Sequence, residues 1–307
     1  MAERHLNAKN IPILDAHHHV WNLDRNYHPW LCDEPPIAFR YGDYRPLRRN
    51  YLPGDYLRDT ASFNVVASVY VESEWDPDDP VGESRWIDAQ ADQFRLPNAI
   101  VAQAWLDRDD IEEVLAKQAS FSRVRSVRHK PSASPTAHAV QPAARGSMGD
   151  PKWRRGFALL ERHGLAFDLQ TPYWHLAEAY ELACEFPQTQ IILNHTGLPA
   201  DRSDQGLADW RRAMQGLALA PNVVVKISGL GQPGKEWTVD DNGPIVLDTI
   251  HMFGVDRCMF ASNFPVDSLI ADFDTIYAGF MRIVEQFPLG DQRKMFCDNA
   301  RRIYRIP

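Results

Sequence analysis

Histidines with the spacing of a functional site lie near the start of the chain, in Ile13-Leu14-Asp15-Ala16-His17-His18-His19-Val20-Trp21. Side chains alternate between the two faces of a β-strand, so Asp15, His17 and His19 are expected on one face. Neutral imidazole is a good ligand for a divalent metal and also donates or accepts hydrogen bonds. His17 and His19 therefore predict either a metal site or a cradle for a substrate oxygen. A surface histidine run or a tag remnant is the other interpretation, but the apolar residues before the histidines disfavour it.

The rest of the chain alternates between strand-like and helical patterns. Apolar and β-branched runs recur, and each is followed by a segment with apolar residues at helical spacing. After the first strand, the predicted strands lie at 65–72, 99–104, 124–128, 165–170, 191–195, 223–228 and 258–262. Eight strand and helix pairs favour a closed (β/α)8 TIM barrel over an open doubly wound sheet. The first strand also lacks the glycine fingerprint of a dinucleotide site.

Polar residues stand at the carboxyl ends of the predicted strands, where the active sites of such barrels lie. They are His17, His19, Glu72, Gln103, Arg128, His129, Gln170, His195, Ser228 and Asn263. We expect most of them to converge on one site. For His129, with its apolar and basic neighbours, packing and function are both open.

Length and composition indicate an ordinary globular enzyme. The chain has 307 residues with 44% hydrophobic and 24% charged residues, and a formal net charge of -8. We predict a single domain over residues 1–307, working on a small molecule, because an acidic chain is not attracted to nucleic acid or anionic lipid. Four scattered cysteines and the absence of an apolar leader or span predict a cytoplasmic protein. Barrels of this size often pair, so the oligomeric state is open between a monomer and a homodimer.

The segment from Trp21 to about Tyr56 loses periodicity and is rich in aromatic residues, proline and arginine. Ordered loops of this length are often lids or binding loops. We interpret it as the first βα loop, folded over the mouth of the barrel. The alternative is that its aromatic residues only pack the loop onto the body.

Several motifs together resemble one family. The Asp-Ala-His-His-His-Val-Trp segment of the first strand is similar to the opening motif of the amidohydrolase superfamily, in its amidohydrolase-2 branch of lactonases, decarboxylases and isomerases. Further similar segments are Val-Tyr-Val-Glu at 69–72, Glu-Ser-Arg-Trp at 83–86, Ser-Val-Arg-His at 126–129, Asn-His-Thr-Gly at 194–197, Val-Lys-Ile-Ser-Gly-Leu at 225–230 and Asn-Ala-Arg-Arg-Ile-Tyr at 299–304. The resemblance implies a distorted (β/α)8 barrel.

The resemblance also implies roles for individual residues. His17 and His19 match the paired first-strand histidines, His195 the sixth-strand histidine, and Arg128 a substrate contact on the fourth strand. With them we assign His129, Ser228, Gln170 and Trp21 to substrate binding. His17, His19 and His195 are the candidate ligands of one divalent ion, with zinc as the first candidate, and the alternative of a metal-free site stays open.

Two positions depart from the family pattern. The fifth strand has no lysine to become carbamylated, which disfavours a binuclear metal site. Asn263 stands where the family usually carries an aspartate, and an amide cannot act as a general base. His195 is therefore the first candidate for the base and Glu72 the second, while Asn263 could orient a water molecule or the substrate carbonyl. Asp267 is expected at the start of the next helix instead of in the aspartate's role.

The function expected from these residues is hydrolysis of a small lactone, or of a related cyclic or carboxylic ester, in catabolism. A metal-dependent decarboxylase of an aromatic or unsaturated acid is one alternative, although it would need the missing acidic residue. A barrel that binds a ligand without turning it over is another, and Asn263 is its motivation.

Overall fold

Eight parallel strands form the centre of the computed structural model, which describes residues 11–307. They lie in the order of the sequence, and each pairs with the next. The strands are β1 Ile13–His18, β2 Val65–Val71, β3 Ala99–Gln103, β4 Val124–Arg128, β5 Ala166–Leu169, β6 Ile191–Leu193, β7 Val223–Ile227 and β8 Cys258–Phe260. The predicted (β/α)8 barrel is confirmed.

Helices follow the strands and cover the outside of the barrel. They are α1 Pro29–Cys32, α2 Pro53–Asp59, α3 Gly82–Phe94, α4 Ile111–Ala119, α5 Pro151–Phe157, α6 Leu159–Arg162, α7 Leu176–Glu185, α8 Asp204–Ala218, α9 Val239–Phe253, α10 Phe273–Ile283, α11 Leu289–Arg293 and α12 Asn299–Ile303. Within residues 11–307, no helix combines the length and the apolar character that crossing a membrane requires.

Both faces of the strands are buried, as in other parallel barrels. Aliphatic side chains such as Ala16, Val69 and Val101 fill the barrel interior, whereas aromatic ones such as Trp153 and Trp210 pack between strands and helices. The interior also encloses a fully buried ion pair, in which Lys226 Nζ lies 2.6 Å from Asp168 Oδ1. Asp168 accepts further hydrogen bonds from Ser126, Asn194 and Tyr304. This group of buried polar side chains lies beneath the strand ends that carry the candidate site.

The barrel closes where β8 meets β1, and a carboxylate makes most of that contact. Asp15 accepts hydrogen bonds from Ser262 N (2.8 Å), Ser262 Oγ (2.6 Å), Tyr56 OH (2.9 Å) and Tyr277 OH (3.2 Å). Two backbone bonds continue the contact beyond the strands, from Asn263 N to His17 O (2.8 Å) and from His19 N to Phe264 O (2.7 Å). The histidine strand and the Asn263 segment are thereby held side by side.

The expectation that Asp15 shares a face with His17 and His19 is wrong. Asp15 faces Tyr56 and Tyr277 in the outer layer, whereas Ala16 packs in the barrel interior. The pairing of β1 with β2 shifts register between Asp15 and His18, which interrupts the alternation of side chains. His18 lies outside, stacked on Tyr56 with ring centroids 4.1 Å apart, so His17 and His19 still face the same site.

The first βα loop forms a compact lid. Its aromatic side chains pack on one another, with the Trp30 and Phe39 ring centroids 5.7 Å apart and the Tyr44 hydroxyl donating to Trp30 O at 2.8 Å. Trp21 Nε1 donates to Arg49 O at 2.7 Å, which joins the two ends of the segment. The aromatic residues therefore stabilise the loop itself. Residues of the same loop also line the cavity at the candidate site.

Replacing Asp15 should weaken the closure of the barrel. Asp15→Ala leaves five buried hydrogen-bond donors without their acceptor, the four above and the backbone N of His17, and we expect it to lower the free energy of unfolding by about 3–5 kcal/mol. Urea unfolding followed by far-UV circular dichroism measures the loss. The control is Asp109→Ala at an exposed carboxylate, which should unfold as the wild type does. A loss in Asp15→Ala no larger than in the control would contradict the role of this carboxylate.

Candidate active site

A cavity of about 270 Å³ opens at the carboxyl ends of the strands, beneath the lid. It is lined by His19, Trp30, Ile37, Ala38, Phe39, Arg40, Ser73, Glu74, Arg128, Lys130, Gln170, His195, Leu198, Asn263 and Val266. Five of the residues predicted from the sequence are among them: His19, Arg128, Gln170, His195 and Asn263. The lid contributes the consecutive residues 37–40 together with Trp30, so the predicted position of the lid over the barrel mouth is confirmed.

His19 lines this cavity, and His17 lies beside His19 without reaching the cavity wall, with their two Nε2 atoms 3.2 Å apart. The Nδ1 atom of His19 donates a hydrogen bond to Val71 O at 2.7 Å, which fixes the tautomer and leaves a lone pair on Nε2. Burial, with the positive charges of Lys226 and Arg128 nearby, lowers the pKa of His17 well below its usual value. Burial and Arg128 lower the pKa of His19 in the same direction. Both imidazoles are therefore neutral near pH 7, which is the form that binds a metal.

The spacing of this pair suits two ligands of one metal ion. Two nitrogens that each lie about 2.05 Å from a tetrahedral zinc ion are about 3.3 Å apart, close to the separation of the two Nε2 atoms. The hydrogen bond from His19 to a backbone carbonyl is the kind of support that metal-binding histidines usually have. Within residues 11–307, however, no group of three or more His, Cys, Asp or Glu side chains is arranged to hold a metal. His195 as the third ligand stays a prediction.

His195 faces the histidine pair from the turn after β6, and its ring centroid lies 4.7 Å from that of His17. Its Nδ1 is 2.8 Å from Ser228 Oγ, so when the ring donates to the hydroxyl, Nε2 is free to accept a proton. Burial is the main reason that the pKa of His195 is well below its usual value, and Arg40, Arg128 and Lys226 act in the same direction. His195 and the following Thr196 have positive φ angles of 54° and 50°. Such strained conformations are often found at functional sites.

Arg128 and Glu72 form a buried ion pair through Arg128 Nε and Glu72 Oε1, with both side chains almost inaccessible. Arg128 Nη1 donates to Gln170 Oε1 at 3.1 Å, and the guanidinium still reaches the cavity wall. The other oxygen of Glu72 accepts a hydrogen bond from Glu74 N at 2.7 Å. With both oxygens engaged, Glu72 is arranged to hold Arg128, and the geometry favours His195 over Glu72 as the base.

Asn263 lines the cavity from the segment after β8, and its orientation is fixed by Asp267. Asn263 Nδ2 donates to Asp267 Oδ1 at 2.6 Å, which leaves the amide oxygen free to accept a hydrogen bond. Asp267 lies in a 3₁₀ turn, Val266–Leu269, so it does not begin the next α-helix as the sequence suggested. Tyr41 OH from the lid donates to the same oxygen at 2.9 Å, and Arg40 Nη2 is 3.6 Å from it. Burial raises the pKa of Asp267.

Three residues assigned to substrate binding lie behind the cavity wall. His129 Nδ1 accepts hydrogen bonds from Leu106 N and from Trp153 Nε1, each at 3.0 Å, which engages it in packing. Trp21 is fully buried beneath the lid. Ser228 contacts His195 instead of the cavity. The geometry therefore gives these residues supporting positions, and their contacts with a substrate stay predictions.

Two residues beside the cavity were not predicted as part of the site: Arg40, which lines the cavity, and Asp267, which accepts a hydrogen bond from Asn263. Arg40 stands in a loop with several arginines, and the sequence pattern does not distinguish the one that turns inward. Gly229 is the sequence feature that places Arg40 beside the site, because its backbone contacts both Arg40 and His195. A Cβ on Gly229 would lie 2.7 Å from Arg40 Nη2 and 2.8 Å from His195 Nδ1, so only glycine lets both side chains approach the backbone here.

Gly229→Ala should therefore reduce activity more than stability. The added methyl group displaces His195 or Arg40, and we expect kcat/KM to fall by about 10²-fold or more, since small misplacements of catalytic groups are costly. The matched control is Gly164→Ala, because Gly164 has φ 62° against 64° for Gly229 and an added Cβ meets nothing within 4 Å. Both variants carry similar backbone strain, so equal activities of the two would contradict this role of Gly229.

The chain has relatives along almost its whole length. It is 40% identical to an uncharacterised protein of Sinorhizobium fredii, y4mH, over 298 residues that cover 97% of this chain and 99% of the relative. It is 26% identical to the L-fucono-1,5-lactonase of Burkholderia multivorans over 312 residues, 96% of each chain. A crystal structure of an amidohydrolase from Burkholderia multivorans with bound zinc superposes with a TM-score of 0.80 at 24% identity, covering 96% of this chain and 99% of that one.

The structural likeness, at that identity, establishes a common fold. The family follows from sequence, because the family model described as amidohydrolase matches residues 14–306, which include every residue of the candidate site. The match includes the first-strand histidines, the histidine after β6 and all eight strands but the first residue of β1, and the protein belongs to the amidohydrolase-2 family of the amidohydrolase superfamily.

Proposed function

We propose that this amidohydrolase is a lactonase, which adds water across the ester bond of a small cyclic ester. The observation that carries the proposal is a group of three buried histidines with lowered pKa values, two of which, His19 and His195, line one small cavity together with Asn263. The similarity over 96% of the chain to an L-fucono-1,5-lactonase supports this class of substrate.

In this mechanism, His195 Nε2 accepts a proton from the attacking water as the water oxygen bonds to the acyl carbon. The acceptor oxygen of Asn263 holds the same water in line. When the acyl carbon–oxygen bond breaks, the protonated His195 returns its proton to the leaving alkoxide, which becomes the hydroxyl of the product. Ser228 keeps the imidazole in place throughout, and Arg128, braced by Glu72, holds a hydroxyl or carboxylate of the substrate.

His17 and His19 are the residues that would hold a divalent ion, and the zinc bound in the related Burkholderia structure supports this assignment. Such an ion would polarise the carbonyl oxygen of the lactone. The tautomer of His19 matters here, because its N–H is committed to Val71 O. His19 therefore acts through its Nε2 lone pair, as a ligand or as an acceptor from His17 Nε2.

A pH-stat assay on a panel of five- and six-membered lactones tests the proposal, because each ring opening releases one proton. The same assay with aromatic carboxylic acids, followed by carbon dioxide release, tests decarboxylation. We expect proton release from at least one lactone and no carbon dioxide. His195→Asn should lower kcat/KM by about 10²-fold or more, as expected for loss of a general base. The exposed His251 provides the matched control, and His251→Asn should have wild-type activity.

The pH profile gives a second test of the base. A base with a lowered pKa stays unprotonated on mild acidification, so kcat/KM should be flat from roughly pH 8 to pH 6 and fall only in more acidic solution. An acid limb with a midpoint at or above the ordinary histidine value of 6.5 would contradict His195 as the base. Turnover in a His17→Ala/His19→Ala variant within tenfold of wild type would contradict the whole site.

Asn263→Asp should not increase activity. The new carboxylate would face Asp267 Oδ1 across 2.6 Å, and two carboxylates at this distance share a proton instead of ionising together. We expect kcat at pH 7 to fall by about tenfold or more, because the acceptor that orients the water is disturbed.

The double variant Asn263→Asp/Asp267→Asn is the matched control for this prediction. It exchanges the acid and the amide, so that one carboxylate and one amide still face each other. If the pairing of two carboxyl groups causes the loss, the double variant should recover most of the wild-type kcat. A kcat well above wild type in either variant would show that a carboxylate base was missing and that the assignment of His195 is wrong.

A further inference from the structure

Ser73 lines the active-site cavity from the loop after β2, and the proposed mechanism does not use it. Both polar atoms of its backbone are already engaged. The N–H donates to Glu83 Oε1 at 2.7 Å, and the carbonyl accepts from His28 Nδ1 at 3.0 Å and from Trp30 Nε1 at 2.9 Å. The hydroxyl is therefore the polar group of Ser73 that is left for a ligand in the cavity.

The hydroxyl of Ser73 has no close hydrogen-bond partner within the protein. His19 Nδ1 and Tyr70 OH each lie 3.3 Å from it, which is longer than an ordinary hydrogen bond of a hydroxyl. Both neighbours donate to nearer acceptors, His19 to Val71 O and Tyr70 to Glu83 Oε1, each at 2.7 Å. The proton of the Ser73 hydroxyl is thus available to a closer oxygen in the cavity.

The loop that carries Ser73 is held firmly on its other side. Glu74 N donates to Glu72 Oε2 and Trp75 N donates to Gln103 Oε1, each at 2.7 Å. Glu74 also has a positive φ of 55°, a conformation that persists in a residue with a side chain only where the surrounding contacts hold it. Ser73 therefore occupies a fixed place in the cavity wall, as a group that binds a ligand should.

Glu83 is the fully buried group that holds the backbone of Ser73. Its Oε1 accepts from both Ser73 N and Tyr70 OH, whereas its Oε2 has no hydrogen-bond partner within residues 11–307. Burial, assisted by the charge of Glu72, raises the pKa of Glu83 to about 8, so the carboxyl group is mostly protonated near pH 7. Glu83 does not line the cavity, and its effect on a ligand must pass through the residues that it holds.

We propose that Ser73 binds the substrate by donating a hydrogen bond from its hydroxyl to an oxygen of the lactone, and that Glu83 is the positioning residue that holds Ser73 in place. This inference rests on the proposed lactonase function and adds a binding residue to it. The carbonyl of Ser73 also accepts from His28 and Trp30 of the lid. Glu83 therefore positions one side of the lid together with the hydroxyl.

Ser73→Ala tests the hydroxyl on the best lactone of the pH-stat panel. We expect kcat/KM to fall about tenfold, as for the loss of one hydrogen bond to the substrate. Ser73→Cys has nearly the same size but is a weaker donor, and its kcat/KM should be intermediate. The matched control is Ser147→Ala, at a buried serine outside the cavity whose hydroxyl accepts from Gly149 N at 3.2 Å. Equal kcat/KM values in Ser73→Ala and Ser147→Ala would overturn the proposal and leave the lactonase function intact.

Two substitutions of Glu83 test the positioning role. Glu83→Gln keeps an acceptor oxygen for both hydrogen bonds, so its kcat/KM should be within about threefold of wild type. Glu83→Ala removes the acceptor, and we expect a loss of about tenfold. A loss in Glu83→Gln as large as in Glu83→Ala would contradict positioning by the acceptor oxygen.

The double variant Ser73→Ala/Glu83→Ala distinguishes positioning from a general loss of structure. If Glu83 acts through Ser73, the combined loss in kcat/KM should be well below the product of the two single losses. A combined loss equal to that product would show two independent effects and would contradict the proposal.

Amide hydrogen exchange of residues 28–40 gives a readout that needs no substrate. Glu83→Ala should release the Ser73 carbonyl from His28 and Trp30, and exchange in this segment should become about tenfold faster or more. The control is Asn299→Ala, which removes a buried side chain with two hydrogen bonds to the backbone at the start of β8, and it should leave exchange of this segment unchanged.

These measurements separate the failure of this proposal from the failure of the proposed function. If no lactone of the panel is hydrolysed, the proposed function is wrong and the substrate contact of Ser73 fails with it. Hydrogen exchange then decides about Glu83 alone. Unchanged exchange of residues 28–40 in Glu83→Ala would overturn its positioning role whether or not a lactone is turned over.

Discussion

The contact between β1 and β8 through Asp15 is the constraint on which the rest of the site depends. A barrel has no free edge only if its last strand meets its first, and here the strands meet through a buried carboxylate with five donors. His17 and His19 stand shortly after Asp15 in the chain, and Asn263 comes directly after Ser262. Each is therefore within a few residues of the closing contact, and Asn263 N donates directly to His17 O. The contacts that close the barrel therefore also bring His17, His19 and Asn263 together.

The second constraint is electrostatic. Neutral imidazoles are needed for proton acceptance or metal binding, and burial is the largest cause of their lowered pKa values. Burial alone would also penalise the charges of Arg128 and Lys226, so each has a carboxylate partner, Glu72 and Asp168 respectively. The two cations still act on the histidines at longer range. The ion pairs thus keep positive charge close to the site without leaving a buried charge unpaired.

The sequence predicts the barrel and the histidines well because both are encoded locally. β-Branched runs identify the strands, and residues at strand ends converge once the barrel closes. The face of Asp15 was wrong because a register shift depends on how β1 pairs with β2, which no local pattern records. Arg40 was missed because its position depends on how the aromatic residues of the lid pack on one another. His129 illustrates the reverse: it stands at a strand end, but its partners are Trp153 and the backbone of Leu106.

Asp267 connects these constraints to the lid. One oxygen of this carboxylate accepts from Asn263 on the barrel and from Tyr41 on the lid, with Arg40 nearby. The lid is therefore tied to the residue that orients the amide of Asn263, and a lid displaced from Asp267 would release one of the donors that fix this orientation. An aspartate at position 263 would compete with Asp267 for the same lid donors, and the two carboxyl groups would have to share one proton. The amide at position 263 fits this arrangement. Its Nδ2 donates a hydrogen bond to the buried carboxylate of Asp267, which also accepts a hydrogen bond from Tyr41 of the lid.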